Sequence, residues 1–219
     1  MGQALGTQYS ALWQEVAGIH FNWGEFVELY GTKATRLELL NRAAPSFFRM
    51  IRSSLWEGTL LHLARLTDPP YSGRKDRTNL TIQNLPELVD DAEVKKHIAN
   101  LVKIAIRETE FCRDWRNRRI AHTDLKLATS EPAIPLAKAD RKHVDAALKA
   151  IVNAMNAVDQ HFADSETRYD LFQPHHGAVA LLYVVDDGLR MEKNERSDDA
   201  REDRMTMTLG LETYEITFS

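Results

Sequence analysis

The chain has 219 residues, 43% of them hydrophobic, with a formal charge of −4 and a pI near 6.1. That is enough for one well-buried domain with an appendage, and it excludes a global basic field, so any nucleic-acid contact must come from a local patch. A single cysteine, Cys112, excludes an internal disulfide and a multi-cysteine metal knuckle.

The first seven residues lack the basic region and apolar core of a secretory signal. The longest apolar run, 178–185, is far too short to span a bilayer. A cytoplasmic protein without membrane contact is therefore expected. From Tyr9, apolar residues recur at helical spacing through Leu12, Trp13, Val16, Trp23, Val27 and Tyr30, which predicts an amphipathic helix ending at Gly31. His20 lies on its apolar side and is expected to be a satisfied core or interface histidine. Thr32 is placed to cap a second helix from 33 to about 44, which Pro45 interrupts. In the stretch 46–66, Phe47, Phe48, Ile51, Leu55, Leu61 and Leu66 define one broad face, with Ser54 and Gly58 allowing close approach. His62 and Arg65 project from that face. A buried arginine needs a partner, and Glu57 and Asp68 are nearest in sequence.

Residues 68–79 form a turn-rich, charged loop. Its Arg74, Lys75 and Arg77 suit a solvated surface first and an extension of an RNA-binding face second. A short helix follows from about 81 past Pro86. A long helix is predicted from about 91 to 120, with Val94, Ile98, Leu101, Val102, Ala105, Thr109 and Cys112 as its stripe. The next position on the stripe is Arg116, while His122 falls about 120° away and about 9 Å further along a continuous helix. Arg116 thus breaks the pattern where burial or an interface is expected, which marks a place to look for function.

Pro132 and Pro135 bound a loop, and residues 140 to about 162 carry the helical stripe Val144, Leu148, Ile151, Met155, Val158 and Phe162. After a break at Gln173–Pro174, a helix through Val179, Leu182 and Leu189 is expected, with a strand as the alternative for its apolar run. Residues 192–204 are charged and expected to be exposed, and 205–219 alternate in the manner of a short β arm. The predicted fold is all-α: a bundle of four to five long helices over 1–165, with a C-terminal extension over 166–219 packed on it or flanking it.

The sequence has no glycine-rich phosphate loop, no nucleophile elbow, no His-Glu-x-x-His helix and no calcium loop. His175–His176 lacks a spaced third ligand, so neither a metal nor another cofactor is expected. What remains is Arg116–Asn117–x–x–x–His122, late in a helical chain. It resembles the signature of the HEPN superfamily (higher eukaryotes and prokaryotes nucleotide-binding domains), in which an arginine precedes a histidine by four to six residues and a polar residue often follows the arginine. A second loose match, Arg168 with His175, contains Pro174 and lacks that polar residue. The stretch 53–68, followed by Arg–Arg–Ile–Ala–His–Thr–Asp at 118–124, is most similar to the abortive-infection, AbiU-like branch.

The resemblance implies a metal-independent endoribonuclease of phage-defence or toxin type acting as a homodimer, with an antitoxin protein as a further partner. It gives Arg116 and His122 the catalytic roles and places Asn117 between them; Arg113, Arg118 and Arg119 would extend the RNA contact. The chemistry is coherent, since histidine titrates near neutrality and arginine offers a fixed positive fork to a phosphorane. Two chains facing across a twofold axis would bring both copies of the patch together. Where some HEPN toxins carry a modifiable tyrosine two residues after the histidine, this chain has Asp124, which puts that regulation in doubt. The alternative reading is a non-catalytic HEPN-like helical dimer that binds RNA or a protein partner; a purely structural account of the stretch is an Arg-rich helix end in which Arg116 pairs internally and His122 caps the helix C-terminus.

Overall fold

The computed structural model describes residues 1–71, 78–129, 132–172 and 176–212, giving the backbone but no side-chain environment over 197–212. The first helix, α1 (Gln3–Tyr30), starts before Tyr9 because Leu5 continues the stripe. Its buried residues Leu5, Tyr9, Leu12, Val16, Ile19, Trp23 and Phe26 alternate steps of four and three, which keeps one seam inward along the whole helix. A second helix, α2 (Ala34–Ala43), is capped by the extended Lys33 and not by Thr32. The Thr32 hydroxyl donates to the Glu28 carbonyl (3.4 Å) and accepts from Arg36 (2.7 Å).

Pro45 opens the next helix, α3 (Pro45–Leu66), as its first residue. Proline is favoured there because its missing N–H would have no helical partner anyway. The buried face of α3 differs from the expected one. Phe48, Thr59, Leu60, Leu63, Ala64 and Leu66 are buried, whereas Phe47, Ser54, Gly58 and Arg65 are exposed. Apolar residues nearly encircle this helix, so its neighbours α1 and the 110–115 segment select the inward face. Arg65 therefore faces water near Glu15 (3.8 Å), which also holds His62 (2.5 Å). Neither Glu57 nor Asp68 is its partner.

A 3₁₀ segment, Ile82–Leu88, is capped by the Thr81 hydroxyl. The predicted helix over 91–120 exists as three pieces: α4 (Ala92–Glu108), α5 (Glu110–Trp115) and a π-turn, Arg116–Ile120. After the short α6 (Leu125–Ala128) comes α7 (Arg141–Ala163), which buries the predicted stripe from Val144 to Val158, leaves Phe162 half-buried, and lies along α4. Asp164 ends α7 in the left-handed conformation, φ 45°. A 3₁₀ turn, Tyr169–Leu171, then precedes α8 (Ala178–Glu212).

The run 178–185 is thus helical, not a strand: Ala178 and Leu182, four residues apart, bury against Leu29, Leu40 and Phe48. The expected β arm is corrected over 205–212, which continue α8; residues 213–219 lie outside the described residues. Among the described residues there is no strand, just one isolated bridge pairing Tyr71 with Thr78. The loop cations Arg74, Lys75 and Arg77 lie outside them too. The all-α bundle is as predicted, and no described helix is long and apolar enough to cross a membrane.

Candidate functional site

The break that creates the site begins at Thr109. Its side chain folds back on the helix, donating to the Ala105 (2.8 Å) and Ile106 (3.1 Å) carbonyls. Threonine bonded backwards in this way bends helices. The buried Thr109 hydroxyl also meets that of Thr67 (2.8 Å), which ties the bend to the end of α3. One turn on, Arg113 donates Nη1 to the Ile106 carbonyl (3.1 Å) and Nη2 to the Thr67 carbonyl (2.6 Å). Thr81 and Gln83 complete the girdle, donating to the carbonyls of Leu66 (3.0 Å) and Thr67 (2.8 Å). With its carbonyls satisfied from three sides, the α3 terminus holds Asp68 in one place.

Asp68 is what Arg116 meets. Arg116 Nη1 lies 2.5 Å from Asp68 Oδ2, and its Nε donates to Asn117 Oδ1 (3.0 Å). Arg113 stands 3.9 Å from the other carboxylate oxygen. Arg116 thus sits on the stripe as predicted, half-buried, with its charge met by an acid 48 residues earlier. Its third nitrogen, Nη2, makes no hydrogen bond among the described residues, so one edge of the fork stays open. The internal pairing of Arg116 that a purely structural helix end required is present; among the described residues the capping by His122 is not.

The π-turn follows from Arg116 onward, where the Ala121 N–H bonds the Arg116 carbonyl five residues back (2.8 Å). Single π-turns inside helices are rare and recur at functional sites. The helix ends at Ile120, and His122 sits in the bend beyond it, exposed and without a hydrogen-bond partner among the described residues. Arg118 secures this end. It reaches Asp114 (3.3 Å), Asp124 (3.3 Å) and the Ile134 carbonyl (2.5 Å), while Asp114 accepts the Ala137 N–H (2.7 Å). Asp124 caps α6, and the Leu127 N–H it accepts is the main reason its carboxyl sits below the usual carboxylate range.

The arginines therefore divide. Arg113 and Arg118 are bound into the fold, whereas Arg119 is exposed and only loosely opposite Glu57, at 3.8 Å. Sequence reasoning did not find Asp68 and Glu57 as partners of this end, nor Thr67 and Thr109 as the hinge. The signal was present in Thr109, a hydroxyl standing on an apolar stripe. Arg168 of the second loose match is held by its own neighbour Asp170 (2.9 and 2.7 Å), and His175 lies outside the described residues. A groove of about 1060 Å³ between α1, α7 and the start of α8 is lined by none of Arg116, Asn117 and His122. Its Arg168 pairs with Asp170, Arg141 lies near Asp145 (3.5 Å), and Glu25 accepts the Ala178 N–H (2.5 Å).

The all-α bundle with Arg116, Asn117 and His122 at the end of one helix is the arrangement expected of a HEPN-type domain. The family model HEPN_AbiU2, described as AbiU2, matches residues 2–181, and the chain belongs to that family of abortive-infection HEPN proteins. No curated protein and no solved structure matches it.

Proposed function

We propose that this chain is a metal-independent endoribonuclease of phage-defence type, with His122 as general acid–base and Arg116 as the phosphate-stabilising group. The observation that carries the reading is the Arg116 guanidinium, fixed by Asp68 and Asn117, just ahead of an exposed histidine; neither Arg116 Nη2 nor His122 has a hydrogen-bond partner among the described residues. In the proposed reaction His122 takes the proton of a ribose 2′-hydroxyl. The 2′-oxygen attacks the adjacent phosphorus, the bond to the 5′-oxygen breaks, and that oxygen is protonated by a second copy of the histidine across a twofold dimer axis. Arg116 meets the charge gathering on the phosphorane oxygens. Asn117 orients Arg116, to which its amide oxygen is bonded.

Purified protein incubated with single-stranded RNA in EDTA tests this. Cleavage should yield 2′,3′-cyclic phosphate and 5′-hydroxyl ends and should fall roughly 10²–10⁴-fold in His122→Ala and in Arg116→Ala. Undiminished cutting in either variant removes that residue from the mechanism, and 5′-phosphate ends refute the route. A monomer by sedimentation at micromolar concentration removes the dimer. The second reading, a non-catalytic dimer that binds RNA or a protein, is favoured by the Arg116–Asp68 pair itself, since a neutralised arginine serves structure as well as chemistry. Absence of any cutting by the parent protein would select it.

A further inference from the structure

Beside the candidate site runs a second groove, about 530 Å³ in volume, between α1, α3, α5 and the start of α7. Its size falls within the roughly 300–1,000 Å³ of small-ligand clefts. Arg49, Arg52 and Trp56 reach it from α3 at steps of three and four, so one stripe of that helix presents two cations and an indole together. Phe26 and Tyr30 line it from α1, and Trp115 from α5. The rings form one continuous wall: Phe26 lies 5.6 Å from Trp56, and Trp56 is edge-on to Trp115 at 6.4 Å. Trp115 and Tyr30 have their polar ends engaged by the Ala137 and Phe48 carbonyls (2.8 Å each), which leaves ring surface for contact. Arg49 and Arg52 are exposed and make no ion pair or hydrogen bond among the described residues. Asp140 is the acid of the lining, and it is already engaged by His143 (2.7 Å) and Lys138 (3.6 Å). In a chain of net charge −4 this is a local basic and aromatic patch.

We propose that this groove is a subsite for one nucleotide of single-stranded RNA flanking the cleaved bond, with its base against the Trp56–Trp115 wall and neighbouring phosphates on Arg49 and Arg52. Unstacked bases seat on aromatic rings beside basic side chains, and each such base is worth about tenfold or more in affinity. The groove shares α3 and the 110–120 segment with the candidate site: Trp115 precedes Arg116 in the chain, and Trp56 precedes Glu57, which stands opposite Arg119 at 3.8 Å. The inference takes its ligand from the ribonuclease reading but does not depend on the cleavage step.

The test is equilibrium binding of a labelled single-stranded oligoribonucleotide to full-length His122→Ala protein, alone and with Arg49→Glu/Arg52→Glu added. The charge reversal should weaken binding at least roughly tenfold and lower the salt slope by about 1.4, the value for two phosphate contacts on a single strand. RNA should also quench tryptophan fluorescence in the parent and not in the reversed variant. Should the reversal disturb folding, Arg49→Gln/Arg52→Gln gives the same comparison at smaller amplitude. Equal affinity and slope in folded variants overturns the subsite while leaving the nuclease reading intact. Arginine-dependent binding by a protein that never cuts RNA overturns the nuclease and keeps the subsite. No binding by the parent overturns both, and binding without fluorescence change overturns the stacked base.

Discussion

Two regions of this bundle handle polar groups in different ways. Around Asp68, side chains from α3, α5 and the π-turn are joined by ion pairs and carbonyl contacts at a half-exposed surface. Around Tyr169, His20 Nε2 is buried without a hydrogen-bond partner among the described residues, while the Tyr9 and Tyr169 hydroxyls are buried beside each other, with Asp159 and Thr167 as their polar neighbours. His20 stacks on Tyr169 at 5.6 Å, so the expected satisfied histidine is packed but not satisfied. Burial, with Asp159 close by, raises the Tyr9 phenol well above its ordinary value, and burial lowers His20 against the opposing pull of Asp170. The first region holds its charges near the surface, whereas the second packs its polar groups among aromatic rings.

The sharpest way to break that contrast is Asp68→Asn, which removes the charge that both Arg113 and Arg116 face. It should cost about 1.5–3 kcal/mol of stability, the range for a charged hydrogen bond, and lower RNA cleavage at least about tenfold. Asp68→Glu should recover part of both, in thermal unfolding and in cleavage rate. Full activity in Asp68→Asn would show that Arg116 does not depend on this anchor.

Cys112 lies beneath the Arg116 end, buried, with its thiol pushed up to about 12 chiefly by desolvation. Folding therefore favours the protonated thiol. That stabilisation is complete below pH 9.0, its ordinary value, and is lost as pH climbs toward about 12. Denaturation midpoints across pH 8–11 should fall less steeply in Cys112→Ala, after an offset of about 1 kcal/mol for the lost volume. Equal slopes would mean that the thiol does not report on this core. Tyr9 and Tyr169, also raised, act in the same direction above pH 10.0.

For His20 the sign reverses. His20 is lowered in the fold, so its contribution is present above pH 6.5 and lost as pH falls through the folded value. His20→Phe keeps the ring stack and removes the titration. It should stabilise by about 1 kcal/mol at pH 5 relative to wild type and by less at pH 8, measured by chemical denaturation. A gain independent of pH would place the cost in the unpartnered nitrogen alone. The smallest effect is expected from Arg168→Ala, whose partner is two residues away and exposed: cleavage within about twofold of wild type, and an unchanged thermal midpoint, as an exposed ion pair adds little to stability. A large loss of cleavage there would move the site to the second arginine.

Much of the fold was legible because periodicity records burial. The stripes of α1, α4 and α7 lie where the spacing placed them, and the AbiU2 family was readable in Arg116, Asn117 and His122 together with the 53–68 stretch. The face of α3 was not legible, since its apolar residues are distributed around the axis and the packing of α1 and α5 made the choice. The C-terminal helix was ambiguous for the same reason, as an unbroken apolar run has no period to read.

By itself the sequence determined that one arginine stands where an apolar residue should, because helical geometry is local and fixes which positions share a face. The tertiary structure decided what that means. The acid facing Arg116 comes from 48 residues away, delivered by a helix end that Thr67, Thr81, Gln83 and Arg113 lock in place. Ion-pair partners are chosen by distance in space, and no pattern along the chain encodes that distance.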